Sequence, residues 1–136
     1  MKKLLKLSIK ALLLTALLVI PVSGAVLAED ATINIDMVVA PNVINLESNG
    51  GSVHVHTDTP GIPDDVALYV EGELVDQIYT FTDSCGNLVV KCSITTVKSM
   101  VTVDTNAEFL LTYSRDGVSY TGTDSVPIIQ IVPEKP

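Results

Sequence analysis

Aromatic side chains are scarce in this chain, and tryptophan is absent. The 136 residues include four Tyr and two Phe. Binding of sugars generally relies on exposed aromatic side chains with an apolar face and a polar tip. Only Tyr69 and Tyr79 are expected to point outward, so the sequence gives a weak signal for carbohydrate binding. The aromatic residues predicted to lie in the core are Phe81, Phe109, Tyr113 and Tyr120.

Basic residues are also few, and half of them lie at the N-terminus. Four lysines precede residue 11, an uncharged Leu-rich run covers residues 11–20, and a small-residue stretch ends at Ala28. A basic head, an apolar middle and a small-residue exit are typical of a secretory signal peptide. We therefore expect residues 1–28 to be a signal peptide cleaved after Ala28, with Ala25 as the second candidate site.

A retained membrane anchor is the alternative for the same segment. The uncharged run over residues 11–28 has 18 residues, which is at the lower limit for a helix that spans a bilayer. Pro21 and Gly24 interrupt this run, and it ends in a cleavage-like sequence. These features favour cleavage, after which no cysteine lies near the new N-terminus to carry a lipid.

Removal of residues 1–28 makes the chain strongly acidic. Four basic residues, Lys91, Lys98, Arg115 and Lys135, then stand against 16 acidic residues, so the formal charge is −12. A surface of this charge repels phosphate backbones, which argues against nucleic acid binding. The remaining residues 29–136 are enough for one domain with a single core.

The hydrophobic pattern predicts an all-β domain. Short segments of alternating apolar and polar residues are separated by Gly- and Pro-rich turns, a pattern typical of an antiparallel β-sandwich of about seven strands. Residues 93–101 are ambiguous: their apolar residues fall at helical spacing, which allows a single turn of helix, and residues 101–103 can extend as a strand. The segments predicted as strands are 32–38, 43–46, 52–57, 66–70, 74–81, 88–92, 107–113 and 118–126, with 127–132 as a last edge strand.

The clearest local signal is a hairpin over residues 107–126. Phe109, Leu111 and Tyr113 share one face of its first arm. Between the arms, Asp116-Gly117 supplies the positive φ angles that a tight hairpin turn requires. We expect the other strands to pack around this hairpin.

Three motifs carry a resemblance to a known family. They are VINLESNGG at residues 43–51, LVVK at 88–91 followed by Val97, and DGVSYTGTD at 116–124. In this order they are similar to motifs of small Ig-like modules in secreted bacterial and archaeal surface proteins. The resemblance implies an Ig-like β-sandwich, an extracellular setting and no enzymatic activity. The absence of Trp and of a widely spaced cysteine pair excludes the antibody-type version of that fold.

The resemblance also suggests a place to look for calcium. Such modules often carry an Asp- and Gly-rich loop before the strand that corresponds to residues 88–92. Here the loop, residues 83–87, offers one carboxylate, one amide and one hydroxyl. Calcium requires six to eight oxygen ligands, so we do not expect it to bind at this loop.

The two histidines form the one candidate metal site. His54 and His56 are two residues apart on a predicted strand and therefore share a face, with Asp58 as a third candidate ligand. Neutral imidazoles at this spacing can bind one zinc ion. Solvent-exposed histidines without a metal are the alternative, because no cysteine or further histidine completes a tetrahedral site.

The two cysteines, Cys85 and Cys92, leave two interpretations open. An even number of cysteines in an exported protein favours a disulfide. If residues 88–92 are extended, however, Cys92 lies well beyond the distance of about 4.4–6.8 Å between Cα atoms that a bridge requires. Cys92 also shares a face with Leu88 and Val90, as a buried free thiol would.

No catalytic motif is present. The chain has no Gly-x-Ser-x-Gly nucleophile elbow and no Cys–His spacing that suggests a catalytic pair, and its paired carboxylates lie in turns. We therefore expect a non-catalytic binding or structural module, secreted to the extracellular space or the periplasm, without a cofactor. Its expected partner is a protein or a cell surface, and a free edge at residues 127–132 could start assembly into a layer or fibre. The alternative is an exported metal-binding protein that uses His54 and His56.

Overall fold

The computed structural model describes residues 31–132 and residue 134. Within them the chain forms ten strands and one short helix. The predicted signal peptide, residues 1–28, lies outside the described residues. The elements are β1 Thr32–Asn34, β2 Met37–Ala40, β3 Ile44–Asn45, β4 Ser52–Pro60, β5 Asp64–Val70, β6 Glu73–Leu74, β7 Tyr79–Thr82, β8 Asn87–Ser93, α1 Ile94–Lys98, β9 Asn106–Arg115 and β10 Val118–Ile129.

The strands form two sheets. The larger has the order β1-β10-β9-β5-β6 with β3 also beside β10, and the smaller has the order β2-β4-β8-β7. The smaller corresponds to the A-B-E-D sheet of an Ig-like sandwich and the larger to its C-F-G sheet, so the predicted fold class is confirmed. There are ten strands rather than about seven, because short pieces pair separately. Two of these pieces, β1 and β3, run parallel to β10.

The start of the domain crosses from one sheet to the other. Residues 32–38 were expected to form one strand, but β1 pairs with β10 while β2 pairs with β4. Between them the backbone N–H of Ile35 donates to the carbonyl of Thr121, 2.8 Å away. Because of this crossing, Ile33 is exposed while Met37 is buried.

The core lies between the sheets and follows the predicted alternation. Phe109, Leu111 and Tyr113 of β9 are buried, and so are Val53 and Val55 of β4. The predicted hairpin is present as β9 and β10, which pair over ten residues. Asp116 and Gly117 have φ values of 53° and 79°, as a type I′ turn requires.

Four other predictions were wrong in detail. The expected strand over residues 74–81 is interrupted, because the chain leaves β6 in one sheet and enters β7 in the other. Residues 101–103 form no strand, whereas the expected helical turn is present as α1, capped by the hydroxyl of Ser93. Residues 127–129 end β10 instead of forming a separate edge strand. Phe81 is exposed rather than buried, because β7 places it on the outer side of its sheet.

Among the described residues, no helix is long and apolar enough to cross a membrane.

Candidate functional site

The outer face of the smaller sheet carries two rows of side chains that cross all four strands. One row runs Val38–His56–Val89–Phe81, from β2 to β7. The next row runs Ala40–His54–Lys91–Tyr79 over the same strands. Cross-strand neighbours on one face of a sheet lie close enough to contact each other. The seven larger side chains of these rows are called the outer patch: Val38, His54, His56, Tyr79, Phe81, Val89 and Lys91.

Val89 shows that the outer patch is a packed cluster. Its side chain is fully buried, although it faces away from the sandwich and does not belong to the core cluster. Its cross-strand neighbours are His56 and Phe81, which cover it from either side. The outer face therefore has a small apolar centre of its own, separate from the core.

The apolar centre is largely open to solvent at its margins. Val38 is 61% exposed, Phe81 40% and Tyr79 64%. An open depression of about 650 Å³ lies beside Tyr79 and Phe81, lined by His54, Tyr79, Thr80, Phe81 and Lys91. Exposed apolar side chains that adjoin one another and are rimmed by polar groups mark sites of protein interaction.

The imidazole of His54 lines this depression, and that of His56 lies next to it on β4. The ring centroids of His54 and His56 are 6.2 Å apart, and His54 meets Phe81 edge to face with centroids 6.3 Å apart. Burial lowers the pKa of His54 below its ordinary value of 6.5, and the charges of Lys91 and His56 lower it further. His54 is therefore predominantly neutral at neutral pH, able to donate and to accept a hydrogen bond.

Charges of opposite sign lie at the two ends of the outer patch. Lys91 carries the positive charge at one end, beside the neutral His54. Asp58 follows His56 along β4 on the same face, and Asp83 follows Phe81. The carboxylate of Asp83 accepts hydrogen bonds from the backbone N–H of Asn87 and of Cys85. The hydrogen bond from Asn87 is the main cause of a lowered pKa for Asp83, and the bond from Cys85 and the charge of His56 lower it further. Desolvation acts in the opposite direction but is outweighed.

The geometry gives the metal hypothesis no further ligand. His54 and His56 share a face as predicted, but among the described residues no group of three or more His, Cys, Asp or Glu side chains is placed to hold a metal ion. Asp58, the third candidate ligand, is therefore not brought together with the two imidazoles. A structural zinc site requires four ligands.

The cysteines are unbridged in the structure. Cys85 is exposed in the turn before β8, and Cys92 is buried on the inner face of β8. Burial raises the pKa of the Cys92 thiol to about 11, so that this side chain behaves as a small apolar residue of the core. The structure therefore agrees with the free-thiol interpretation of Cys85 and Cys92 and not with a disulfide between them.

The outer face of the larger sheet is different in kind. Its central strands present hydroxyl groups, with Thr121 opposite Thr112 and Ser119 opposite Ser114.

Two tyrosines of the same strands, Tyr113 and Tyr120, stack with ring centroids 5.0 Å apart and planes tilted by 9°. Tyr113 is buried and its hydroxyl shares a hydrogen bond with Thr59, so that this pair stabilises the core.

Sequence reasoning missed most of the outer patch. It singled out the two histidines and placed Tyr79 outward, but it assigned Phe81 to the core and gave no role to Val38, Val89 or Lys91. These residues come together only when the register of β2, β4, β8 and β7 is known. One signal in the sequence could have placed two of them. Val89 and Lys91 alternate along the strand with Leu88, Val90 and Cys92, so burial of the latter three turns Val89 and Lys91 to the outer face.

Fold and surface together define an Ig-like β-sandwich with an apolar, aromatic patch on its smaller sheet. No family model matches the sequence, and no curated protein matches it. Among solved structures, the chain is similar to the titin M4 domain in its trigonal form, with a TM-score of 0.40 and 10% identity over 71% of this chain and 90% of that one. It is also similar to the M1 domain from titin, with a TM-score of 0.40 and 8% identity over 75% of this chain and 95% of that one. A TM-score of 0.40 is too low to support the fold assignment. The Ig-like class therefore rests on the strand order of the two sheets.

Proposed function

We propose that this protein is an exported, non-catalytic Ig-like module that binds a protein partner through the outer patch. The observation that carries the proposal is the cluster around Val89. Val89 itself is already covered, but the apolar side chains around it still expose much of their surface. Such a cluster becomes useful when a partner covers it, because the partner removes the exposed parts of Val38, Tyr79 and Phe81 from water.

The chemistry of the outer patch suits a protein partner. Aromatic side chains supply a large contact area with few rotatable bonds, and they are enriched at the centres of protein interfaces. His54 and Lys91 add hydrogen-bond donors at one end of the patch, and His56 adds one in its middle row. These groups form no nucleophile and base pair, and this supports binding without catalysis.

Export is supported by the N-terminal pattern. A basic head followed by an uncharged run and Ala25-Val26-Leu27-Ala28 is the arrangement that a signal peptidase cleaves. Intact mass of the protein recovered from the medium tests this part directly. A mass that begins at Glu29 supports export with cleavage, whereas a cell-bound protein of full-length mass makes the first residues an anchor.

Binding through the outer patch is tested by paired surface variants. Phe81→Ser and Val38→Ser remove apolar surface from the patch, while Leu74→Ser and Ile62→Ser remove it elsewhere; Leu74 and Ile62 are 53% and 54% exposed. Proteins crosslinked to the exported wild-type chain in its native setting would be identified, purified and measured for direct binding. The proposal expects a partner that binds both control variants like the wild type and binds Phe81→Ser at least about tenfold more weakly.

Two results would overturn the proposed function. One is a purified partner whose affinity is unchanged by Phe81→Ser and Val38→Ser but is reduced by the control variants, which would place the interface elsewhere. The other is the absence of direct binding between the purified chain and every crosslinked protein, including a second copy of the chain.

A further inference from the structure

The arrangement of charge on the outer patch has a direction along the strands. At one end lie Lys91 of β8 and His54 of β4. At the other end lie Asp83, in the turn after β7, and Asp58, which is exposed in the stretch of β4 between His56 and Pro60 where the register with β8 shifts. Arg115 lines the same depression as Asp58 at this end. The row Val38–His56–Val89–Phe81 lies between the two ends, with the fully buried Val89 near its middle.

A surface of this kind is complementary to itself under a two-fold axis that runs across the strands. Such an axis lies along the apolar row and reverses strand direction, so that β4 of one copy meets β4 of the other antiparallel. The Lys91 end of each copy then faces the Asp58 end of its partner, and the apolar rows meet in the middle. Lys91 and Asp58 lie on neighbouring strands, an offset of about 4.8 Å that a lysine side chain can span. An axis along the strands would instead place Lys91 and His54 against the same groups.

We propose that the outer patch binds a second copy of this chain, in a two-fold symmetric dimer joined face to face through the two smaller sheets. This inference rests on the proposed function of the outer patch as a binding surface, and it names the partner. Aligned packing of two sheets face to face is a common arrangement in β-proteins. Each ion pair occurs twice in the dimer because the interface is isologous.

The size of the patch indicates how strong this dimer is. Four strands spaced about 4.8 Å apart, with side-chain rows about 7 Å apart along them, give a face of about 20 by 20 Å. This area, about 400 Å² in projection on each copy, is below the roughly 800 Å² per partner of a standard interface. The dimer is therefore weak and depends on concentration.

The overall acidity of the chain opposes association, but only at long range. Two domains of formal charge −12 repel each other at low salt. At physiological salt the screening length is about 8 Å, so that the charges within the patch dominate those on the remainder of the surface. Association should therefore be measured at about 0.15 M salt.

The experiment is sedimentation equilibrium of the exported protein at loading concentrations from about 10 µM to about 1 mM. Lys91→Glu and Asp58→Lys each create two like-charge contacts in a homodimer and should raise its Kd at least about tenfold. An equimolar mixture of the two variants should recover a dimer. In that mixture the glutamate introduced in one chain faces the lysine introduced in the other, while the unchanged Asp58 of the first faces the unchanged Lys91 of the second. Lys98→Glu and Glu73→Lys, which make the same charge changes outside the patch, should leave the Kd unchanged.

Each outcome separates this inference from the function on which it rests. Dimerisation that is lost in both variants and restored by mixing them supports the inference, as does its loss in Val38→Ser with an unchanged thermal midpoint. A wild-type protein that stays monomeric at about 1 mM, or a mixture that stays monomeric, overturns it. If the monomeric wild-type chain still binds another protein, and Phe81→Ser weakens that binding, only the identity of the partner was wrong. If it binds no protein, the proposed binding function fails as well.

Discussion

Gly122 is the position where one added methyl group has the best-defined consequence. It lies in β10, under the segment that crosses from β1 to β2. A Cβ atom at this position would lie 2.9 Å from Cγ1 of Ile35 and 3.1 Å from Cγ and Sδ of Met37. The first of these distances does not occur between a real Cβ atom and its neighbour, so that something must move. Met37 is buried between the sheets, and its side chain has little room to do so.

Two opposing effects set the expected size of the change in Gly122→Ala. Alanine in place of glycine within a strand ordinarily stabilises by about 0.5–1 kcal/mol, through the lower entropy of the unfolded chain. Overpacking a core position costs about 1–3 kcal/mol. We expect a net loss of about 1–2 kcal/mol in the free energy of unfolding. The thermal midpoint should fall by about 5–10 °C.

The measurement is urea and thermal unfolding of the wild type, Gly122→Ala and Thr123→Ala, the last being the exposed neighbour on the same strand. A double-mutant cycle with Ile35→Ala identifies the clash. Removal of Ile35 should cost less in the Gly122→Ala background than in the wild type, because the two changes share one contact. A Gly122→Ala protein as stable as the wild type, or additive energies in the cycle, would refute the proposed close approach between β10 and the crossing segment.

Three further predictions concern the edge of β2, the thiols and the pH dependence of stability. Asp124→Ala should lower the free energy of unfolding by about 1–3 kcal/mol, since its carboxylate accepts the backbone N–H of Val39 at 2.8 Å; Ser125→Ala is the control in the same denaturation assay. Iodoacetamide on the native protein should label Cys85 alone, because Cys92 is buried, and mass spectrometry should detect a second adduct only after unfolding. Two adducts on the native protein would contradict the burial of Cys92. Because the pKa of His54 is lowered, the unfolded chain binds the proton more tightly and stability should fall as pH drops below 6.5. Denaturant titrations from about pH 8 to about pH 5 should show a shallower fall in His54→Gln than in the wild type, and equal slopes would contradict this.

The inner faces of the strands could be predicted from the sequence because burial there follows a local rule. Alternation placed Phe109, Leu111 and Tyr113 inward, and Asp116-Gly117 specified the hairpin turn. Each of these predictions depends on residues within about ten positions of each other, where strand period and turn chemistry decide the outcome. The β-sandwich class followed from the number and spacing of such segments, whereas its Ig-like form was what the resemblance of the three motifs implied.

The errors share a different physical origin. The stretch 32–38 has the period of a single strand, yet it crosses between sheets because Gly122, far away in sequence, leaves space for Ile35 and Met37. Phe81 has the composition of a core residue but faces outward, since its side is fixed by pairing with Val89. The outer patch is likewise a property of register between four strands, and local pattern does not determine register between distant segments.

The strand edges indicate why interaction through a sheet face is favoured over growth of a sheet. Assembly from residues 127–132 was expected to need a free edge, but Pro127 pairs with Asn106 of β9 while Ile128 and Ile129 lie beside β3. At the β2 edge, the backbone N–H of Val39 is bound by Asp124, which blocks strand addition there. The remaining edge of the smaller sheet, β7, has four residues, and short edges are a means by which proteins avoid edge-to-edge aggregation. Because its edges are occupied or short, the face of the smaller sheet is the surface left for the partner that we propose, and the exposed aromatic side chains and the opposed charges lie on that face.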